Sequence, residues 1–370
     1  MASVPAPPAT APPRAARAAA GPAIGLAAAA LLAGAACSGG AGPARALPPL
    51  VVSDRGGALR IYEVDGDRGV ATLVGSARAD DAAYRDTMPA RLPDGRVVFV
   101  SDRGGRPALH VTGPDPMAAA IAIPLAAPPM PDASMPDAPT PGAPAPGPAD
   151  SDPAPFGPGR LVFARAAADG APRDLHVVDV DGGGLRALTR HPADDGAPCA
   201  LPDGRTIVFV SGRDGARRLY RLDGDAPDPE TTVAPLLADP TAGVAGPAGS
   251  SAAGAALADG APACLADGSI VFSRAASGRP AQIFALGLGG AHPAPRQITD
   301  ATILPSGAGE PVGLDDGTIL LTAGPASGGV SGRGPRYGVY RISRGGYNLS
   351  RVTRSGAGYD DLARGLNVGR

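Results

Sequence analysis

The chain has 370 residues, 44% of them apolar, enough for a sizeable core in one large domain or two ordinary ones. Its 33 basic and 35 acidic residues leave a formal net charge of −2 with no block of like charge, which excludes the electrostatic footprint of a nucleic-acid or anionic-surface binder. With 54 Gly, 44 Pro and no Trp, the sequence is turn-rich and favours many short strands over a helix bundle.

Residues 1–36 have the three parts of an export signal: Arg14 and Arg17, an apolar run from Ala23 to Leu32, and small residues up to Cys37. The run falls short of the roughly 20 residues a membrane span needs. Gly34-Ala35-Ala36 ahead of Cys37, with Ser38-Gly39-Gly40 behind it, resembles a bacterial lipoprotein box, although Gly34 stands where the box usually has Leu. The resemblance implies cleavage after residue 36, a lipid on the Cys37 thiol, and a flexible tether over 37–46. Ser38 after the Cys, rather than Asp, points to the outer membrane, on its periplasmic face or at the cell surface. The alternative to lipidation is an ordinary secreted or periplasmic protein.

From residue 47 onward the chain repeats itself. The pattern P-x-x-L-x-D-G starts at Pro89, Pro198, Pro262 and Pro311, and each copy ends in Asp-Gly (Asp94-Gly95, Asp203-Gly204, Asp267-Gly268, Asp316-Gly317), a pair suited to a tight hairpin turn. A strand is expected after each turn, at Val97 to Val100, Ile207 to Val210, Ile270 to Phe272 and Ile319 to Leu321. Leu50 to Val52 and Leu161 to Phe163 continue in the same way without the full turn signature. A later register pairs an apolar residue with an aromatic or His in all six units: Ile61-Tyr62, Leu109-His110, Leu175-His176, Leu219-Tyr220, Ile283-Phe284 and Val339-Tyr340. A fourth short strand is read behind each, from Thr72 to Val74 in the first unit to Arg351 to Thr353 in the last.

The fold expected is therefore all-β: a six-bladed β-propeller of four-stranded antiparallel blades over residues 47–370. Uneven spacing between units is assigned to low-complexity inserts at about 128–155 and 242–256, which are too poor in apolar surface to order themselves. The first unit lacks an innermost strand, and Asp361-Leu362-Ala363-Arg364-Gly365-Leu366 resembles the start of the second unit at Asp86. The C-terminal strand is thus expected to complete the first blade and remove an exposed sheet edge.

The run P-x-x-L-P-D-G, then V-V-F-V-S-D-R-G-G or I-V-F-V-S-G-R-D-G, then L-Y, resembles the repeat of TolB-like propellers across roughly residues 47–370. That resemblance implies six blades around a channel, with binding partners engaging the channel or its rim. The α/β domain that precedes the propeller in TolB has no counterpart stretch here, which weakens transfer of the Tol-system role.

No catalytic residues are expected. A G-x-S-x-G elbow is lacking, and its nearest approach, Gly249-Ser250-Ser251, falls in an insert. His110 and His176 occupy the aromatic slot of their units, while His191 and His292 each precede a Pro without metal-ligand partners. Metal sites and cofactors are accordingly not expected. The Asp179-x-Asp181-Gly182 stretch has a passing likeness to a calcium loop but reads better as a hairpin turn. Cys199 and Cys264 should face each other across neighbouring blades, yet innermost strands usually lie too far apart for a bridge, so two buried thiols are expected over a disulfide. The Ser-Asp-Arg triplets at Ser53 and Ser101, with Ser211-Gly212-Arg213, should tie their own turns. Finally, an acid precedes or adjoins each innermost strand: Asp86, Asp195, Asp259, Glu310 and Asp361. Gathered by rotation at one end of the channel, these would form a negative ring able to hold a cation, Ca2+ included, or to attract a basic segment of a partner, unless they only cap local turns.

These features lead to a non-catalytic, monomeric envelope lipoprotein that binds or scaffolds an envelope protein through its channel mouth or loops. The alternatives are a sensor for a small molecule, peptide or glycan, and a hydrolase-associated propeller.

Overall fold

The computed structural model describes residues 47–65, 70–75, 84–125, 147–237, 257–289, 294–324, 337–353 and 361–364. The export signal, the tether, Cys37, the 242–256 insert and His292 lie outside these residues.

Among the described residues, 24 strands form six antiparallel sheets of four strands each. Blade 1 consists of β1 (Leu50–Ser53), β2 (Arg60–Asp65) and β3 (Val70–Leu73), and its innermost strand is β24 (Asp361–Leu362) from the C-terminal part of the chain. Ser53 pairs with Asp361 and Val52 with Leu362, so the closure expected from sequence is present. Blades 2 to 6 run in order. Blade 2 contains β4 (Asp86–Arg91), β5 (Val97–Ser101), β6 (Ala108–Val111) and β7 (Ile121–Ala122); blade 3 contains β8 (Ala149–Pro155), β9 (Arg160–Ala166), β10 (Arg173–Asp179) and β11 (Arg186–Ala187). Blade 4 has β12 (Asp195–Ala200), β13 (Thr206–Ser211), β14 (Arg218–Asp223) and β15 (Ala234–Pro235). Blade 5 is β16 (Leu257–Cys264), β17 (Ile270–Ala276), β18 (Gln282–Leu286) and β19 (Arg296–Gln297); blade 6 is β20 (Ala308–Gly313), β21 (Thr318–Ala323), β22 (Gly338–Ser343) and β23 (Ser350–Arg351).

The repeat dictates the local geometry. In each P-x-x-L-x-D-G copy the Gly adopts a positive φ, 89° at Gly95 and 69° at Gly204, and its N–H donates to the Leu carbonyl three residues back. The Asp carboxylate accepts the N–H two residues on, as Asp94 does from Arg96 at 3.1 Å, which pins the turn. The following strand is buried on both faces because each blade is packed between two others; Val97 to Ser101 is buried throughout. Six apolar clusters result, one between each adjacent pair of blades. Leu175, Leu188 and Phe156 of blade 3 pack on Ile207, Phe209 and Leu222 of blade 4, and Val51 and Val64 of blade 1 pack on Leu320 and Val339 of blade 6. The outermost strands are mostly two residues long, which leaves little free edge for pairing with another chain.

One boundary needs correction. The insert placed at about 128–155 stops short of its expected end, because Ala149–Pro155 is β8, the innermost strand of blade 3. Its Ala-Pro-rich composition reads as low complexity, but an innermost strand has a neighbour on one side only, so Pro153 and Pro155 cost it little hydrogen bonding.

Candidate functional site

The five innermost strands β4, β8, β12, β16 and β20 share an irregularity. Each carries a one-residue bulge, and the residue just before the motif Pro has a positive φ although it is not Gly: Met88 (54°), Asp152 (54°), Ala197 (49°), Ala261 (42°) and Glu310 (51°). This bulge defines two acid registers that the sequence merges into one. Asp86, Asp195 and Asp259 lie three residues before the Pro, the first two opening their strands and Asp259 third in β16, and Asp361 opens β24, opposite Ser53. Glu310 adjoins Pro311 and sits in the bulge register, while the start of β20 is Ala308, opposite Ala323. Glu310 is therefore no member of the ring in which it was expected. The fifth acid is Asp150 in β8, and the D-x-x-P spacing to Pro153 is the sequence signal that would have found it.

All five aspartates are buried, with 0–5% exposure, and each is held by an arginine of its own blade. Asp86 accepts from Arg103 at 2.9 Å, Asp195 from Arg213 at 2.9 Å and Asp361 from Arg55 at 2.9 Å. In these blades the arginine belongs to the Ser-x-Arg turn, and its Nε also donates to the Ser hydroxyl, 2.9 Å at Ser101 and 3.0 Å at Ser211 and Ser53. The triplets thus tie their own turns, as expected, and in addition reach the acid at the start of the innermost strand. In blades 3 and 5 the arginine comes from the second strand itself: Arg165 grips Asp150 at 2.7 and 3.2 Å, and Arg274 grips Asp259 at 2.6 and 3.0 Å. Every one of these guanidiniums also lies over an aromatic ring: Arg55 over Tyr62, Arg103 over Phe99, Arg165 over Phe163, Arg213 over Phe209 and Tyr220, and Arg274 over Phe272 and Phe284. The repeated unit is thus a clamp of acid, arginine and aromatic that joins the first two strands of blades 2 and 3 and the first three of blades 1, 4 and 5. Its carboxylates are charge-compensated rather than open to the channel.

The remaining candidates are structural. His110 stacks on Phe99 and His176 lies against Phe163, and burial lowers the pKa of both imidazoles. Asp181 accepts the Gly183 N–H and Asp179 accepts that of Gly182 through its carbonyl, which makes the Asp179–Gly182 stretch the expected turn. Among the described residues, no three His, Cys, Asp or Glu side chains are grouped to hold a metal ion.

The cysteines depart from expectation. Cys199 and Cys264 form a disulfide between β12 and β16, with their Cα atoms 5.6 Å apart. The bulges at Ala197 and Ala261, which precede the two cysteines, bend the innermost strands where they converge on the channel, so spacings typical of sheets packed face to face do not apply.

The clamps mark one end of the ring, since each acid lies within the first three residues of its innermost strand, beside the end of the second strand. The connections there differ from those at the opposite end. Counted between described strands, the three longest, 123–148, 236–256 and 324–337, all join strands at the clamp end, whereas the opposite end carries the four- and five-residue Asp-Gly-type turns and third-to-fourth-strand connections of up to ten residues, 112–120, 224–233 and 287–295 among them.

No family model matches the chain. Over 53 residues it is 42% identical to the Tol-Pal system protein TolB of Bordetella pertussis and to that of Bordetella parapertussis, a stretch of 14% of this chain and 12% of either relative. It therefore spans only about an eighth of those relatives' length. Among solved structures, TolB from Acinetobacter baumannii aligns over 84% of this chain and 64% of its own, with a TM-score of 0.57 and 15% identity. Hydrazine synthase of Kuenenia stuttgartiensis aligns over 87% of this chain and 46% of its own, with a TM-score of 0.56 and 13% identity. A nidogen/laminin complex gives a TM-score of 0.53 at 8% identity, over 85% of this chain and 97% of its own. The breadth of these functions assigns the likeness to fold rather than activity. In fold, the chain is a TolB-like six-bladed β-propeller.

Proposed function

We propose that the protein is an exported, non-catalytic binding propeller of the bacterial envelope that engages a protein partner through the clamp end of its ring. The observation that carries this reading is the asymmetry of the two ends: the three connections longer than 12 residues between described strands lie where the Asp–Arg–aromatic clamps fix the strand ends, and at the other end none exceeds ten residues. A rigid scaffold that presents long loops on one face is a common way to build a recognition surface. The Cys199–Cys264 bridge supports export, because disulfides persist in oxidising compartments. The short match to Tol-Pal system proteins supports an envelope setting. The lipoprotein-like box at Cys37 supports a lipid anchor, and Ser38 an outer-membrane address.

The test uses photo-crosslinking residues placed singly at Gly104 and Gly170, in clamp-end turns, and at Gly95 and Gly204, in turns of the opposite end. Irradiation of intact cells should give a discrete protein adduct from Gly104 or Gly170 and none from Gly95 or Gly204. Adducts confined to Gly95 and Gly204 would overturn the assignment of the binding end. Mass spectrometry of the mature N-terminus should show a diacylglyceryl thioether on Cys37.

A further inference from the structure

The bulge register carries a second ring, made of bonds between blades. The Met88 N–H of blade 2 donates to the Arg364 carbonyl of blade 1 at 2.8 Å, and the Asp152 N–H of blade 3 donates to the Met88 thioether at 3.3 Å. The Ala197 N–H of blade 4 donates to Asp152 Oδ2 at 3.2 Å. Across the closure of the ring, the Arg364 N–H of blade 1 donates to Glu310 Oε2 of blade 6 at 3.2 Å. In the last three links the upstream bulge residue offers a side-chain acceptor, whether thioether or carboxylate. That supply ends at blades 4 and 5, whose bulge residues are Ala197 and Ala261, and a methyl group accepts nothing. The interface of blades 5 and 6 is closed by other means: the Ala308 N–H of blade 6 donates to the Ala281 carbonyl of blade 5 at 2.7 Å, and Leu265 packs where a Cβ on Gly313 would stand. The interface of blades 4 and 5 has the disulfide, on the residue two beyond Ala197 and three beyond Ala261.

We propose that the Cys199–Cys264 disulfide is a redox-dependent latch that replaces the missing side-chain acceptor between blades 4 and 5. The integrity of the ring at this one interface then depends on an oxidising environment. Reduction by a dithiol would transfer two electrons and two protons to the bridge, giving two cysteine thiols and the oxidised cyclic disulfide of the reagent. Between β12, β16 and their neighbours there would then remain apolar packing and the bond from the Asp259 N–H to the Arg217 carbonyl at 2.9 Å, and the interface would become the first to open. The inference does not depend on what the propeller binds.

The test uses the full chain purified from envelopes. A non-reducing tryptic digest should contain the Cys199 and Cys264 peptides covalently joined. Treatment with dithiothreitol should lower Tm by about 5–10 °C, the shift expected from opening a 65-residue covalent loop in a domain of this size. Hydrogen exchange should accelerate in β12 and β16 but not in β4 and β8, whose acceptors are intact. The double variant C199A/C264A should reproduce the reduced protein and be insensitive to dithiothreitol. Any of three results would overturn the proposal: both thiols free in protein purified without reductant, a Tm unchanged within 1 °C on reduction, or faster exchange spread evenly over all six blades.

Discussion

Arg103 donates from Nη2 to Asp86 Oδ1 at 2.9 Å while its Nε donates to Ser101 Oγ at 2.9 Å, so one guanidinium fixes both the turn after β5 and the first residue of β4. Asp86 is buried, and Arg60 of blade 1 approaches its other oxygen at 4.0 Å. Removing Arg103 would leave a buried carboxylate without its nearer counter-charge. R103A should therefore destabilise the protein by about 3 kcal/mol in urea unfolding, the lower end of the range for breaking a buried pair, because Arg103 itself is about a quarter exposed. The double variant D86N/R103A should lose less than the sum of the two single changes; full additivity would show that the pair is not coupled.

The turn after β10 supplies a second prediction. Gly182 has φ 95°, and a Cβ there would fall on the Pro124 carbonyl oxygen, a backbone atom of the neighbouring blade. G182A combines an unfavourable backbone conformation with a clash that no side-chain rotation relieves. A loss of about 3 kcal/mol is expected. A change under 1 kcal/mol would mean that the 123–125 segment yields freely.

Asp174 makes stability depend on pH. Burial and the nearby charges of Asp195 and Glu230 push its pKa up to about 6, against opposing effects of Thr189 and His191. A carboxyl whose pKa is higher in the folded state than in the unfolded chain favours folding while protonated. That contribution is therefore present below about pH 4 and fades as pH rises through 6. D174N should remove this dependence and raise stability at pH 7.5 by about 1 kcal/mol, a figure discounted for the solvent that reaches a half-buried group. Thermal melts from pH 4.5 to 7.5 should show a flatter profile for the variant, and a profile parallel to wild type would contradict the assignment.

Thr299 caps a buried strand end in blade 5. Its Oγ1 accepts the Ile283 N–H at 2.9 Å and donates to Gln282 Oε1 at 2.7 Å, both within the protein interior. T299V keeps the shape and removes both bonds, leaving a buried N–H and a buried amide oxygen unsatisfied. The expected cost is about 2 kcal/mol. The equivalent bonds of Thr189 to Leu175 and Thr353 to Val339 predict similar losses for T189V and T353V.

How much of this was legible in the sequence follows from the range over which each feature is encoded. The six units, their strands other than β8 and the C-terminal strand of blade 1 are short-range patterns: Leu-x-Asp-Gly before an apolar run in four units, and an apolar-aromatic or apolar-His pair in all six. Such patterns specify turn, strand and buried face within some dozen residues. β8 escapes a reading by pattern because its composition masks it. Ala149 to Pro155 looks like the Ala-Pro tract that precedes it, although Asp150 keeps the D-x-x-P spacing of Asp86, Asp195 and Asp259. Glu310 stands one residue before its Pro and the aspartates three before theirs, and only the bulge makes those two spacings different positions.

The sequence by itself determined the period, the order of strands and the identity of the groups that would be repeated, because these depend on local backbone preference and on alternation of polar and apolar residues. Tertiary structure alone decided what those groups do. Ser101-Asp102-Arg103 and Asp86 are separate signals along the chain; pairing across β4 and β5 turns them into one clamp and changes an expected ring of open carboxylates into a ring of compensated ones. The same holds for Cys199 and Cys264, whose 5.6 Å separation depends on how two bulged strands converge, a distance set by packing six sheets about an axis and written in no single repeat.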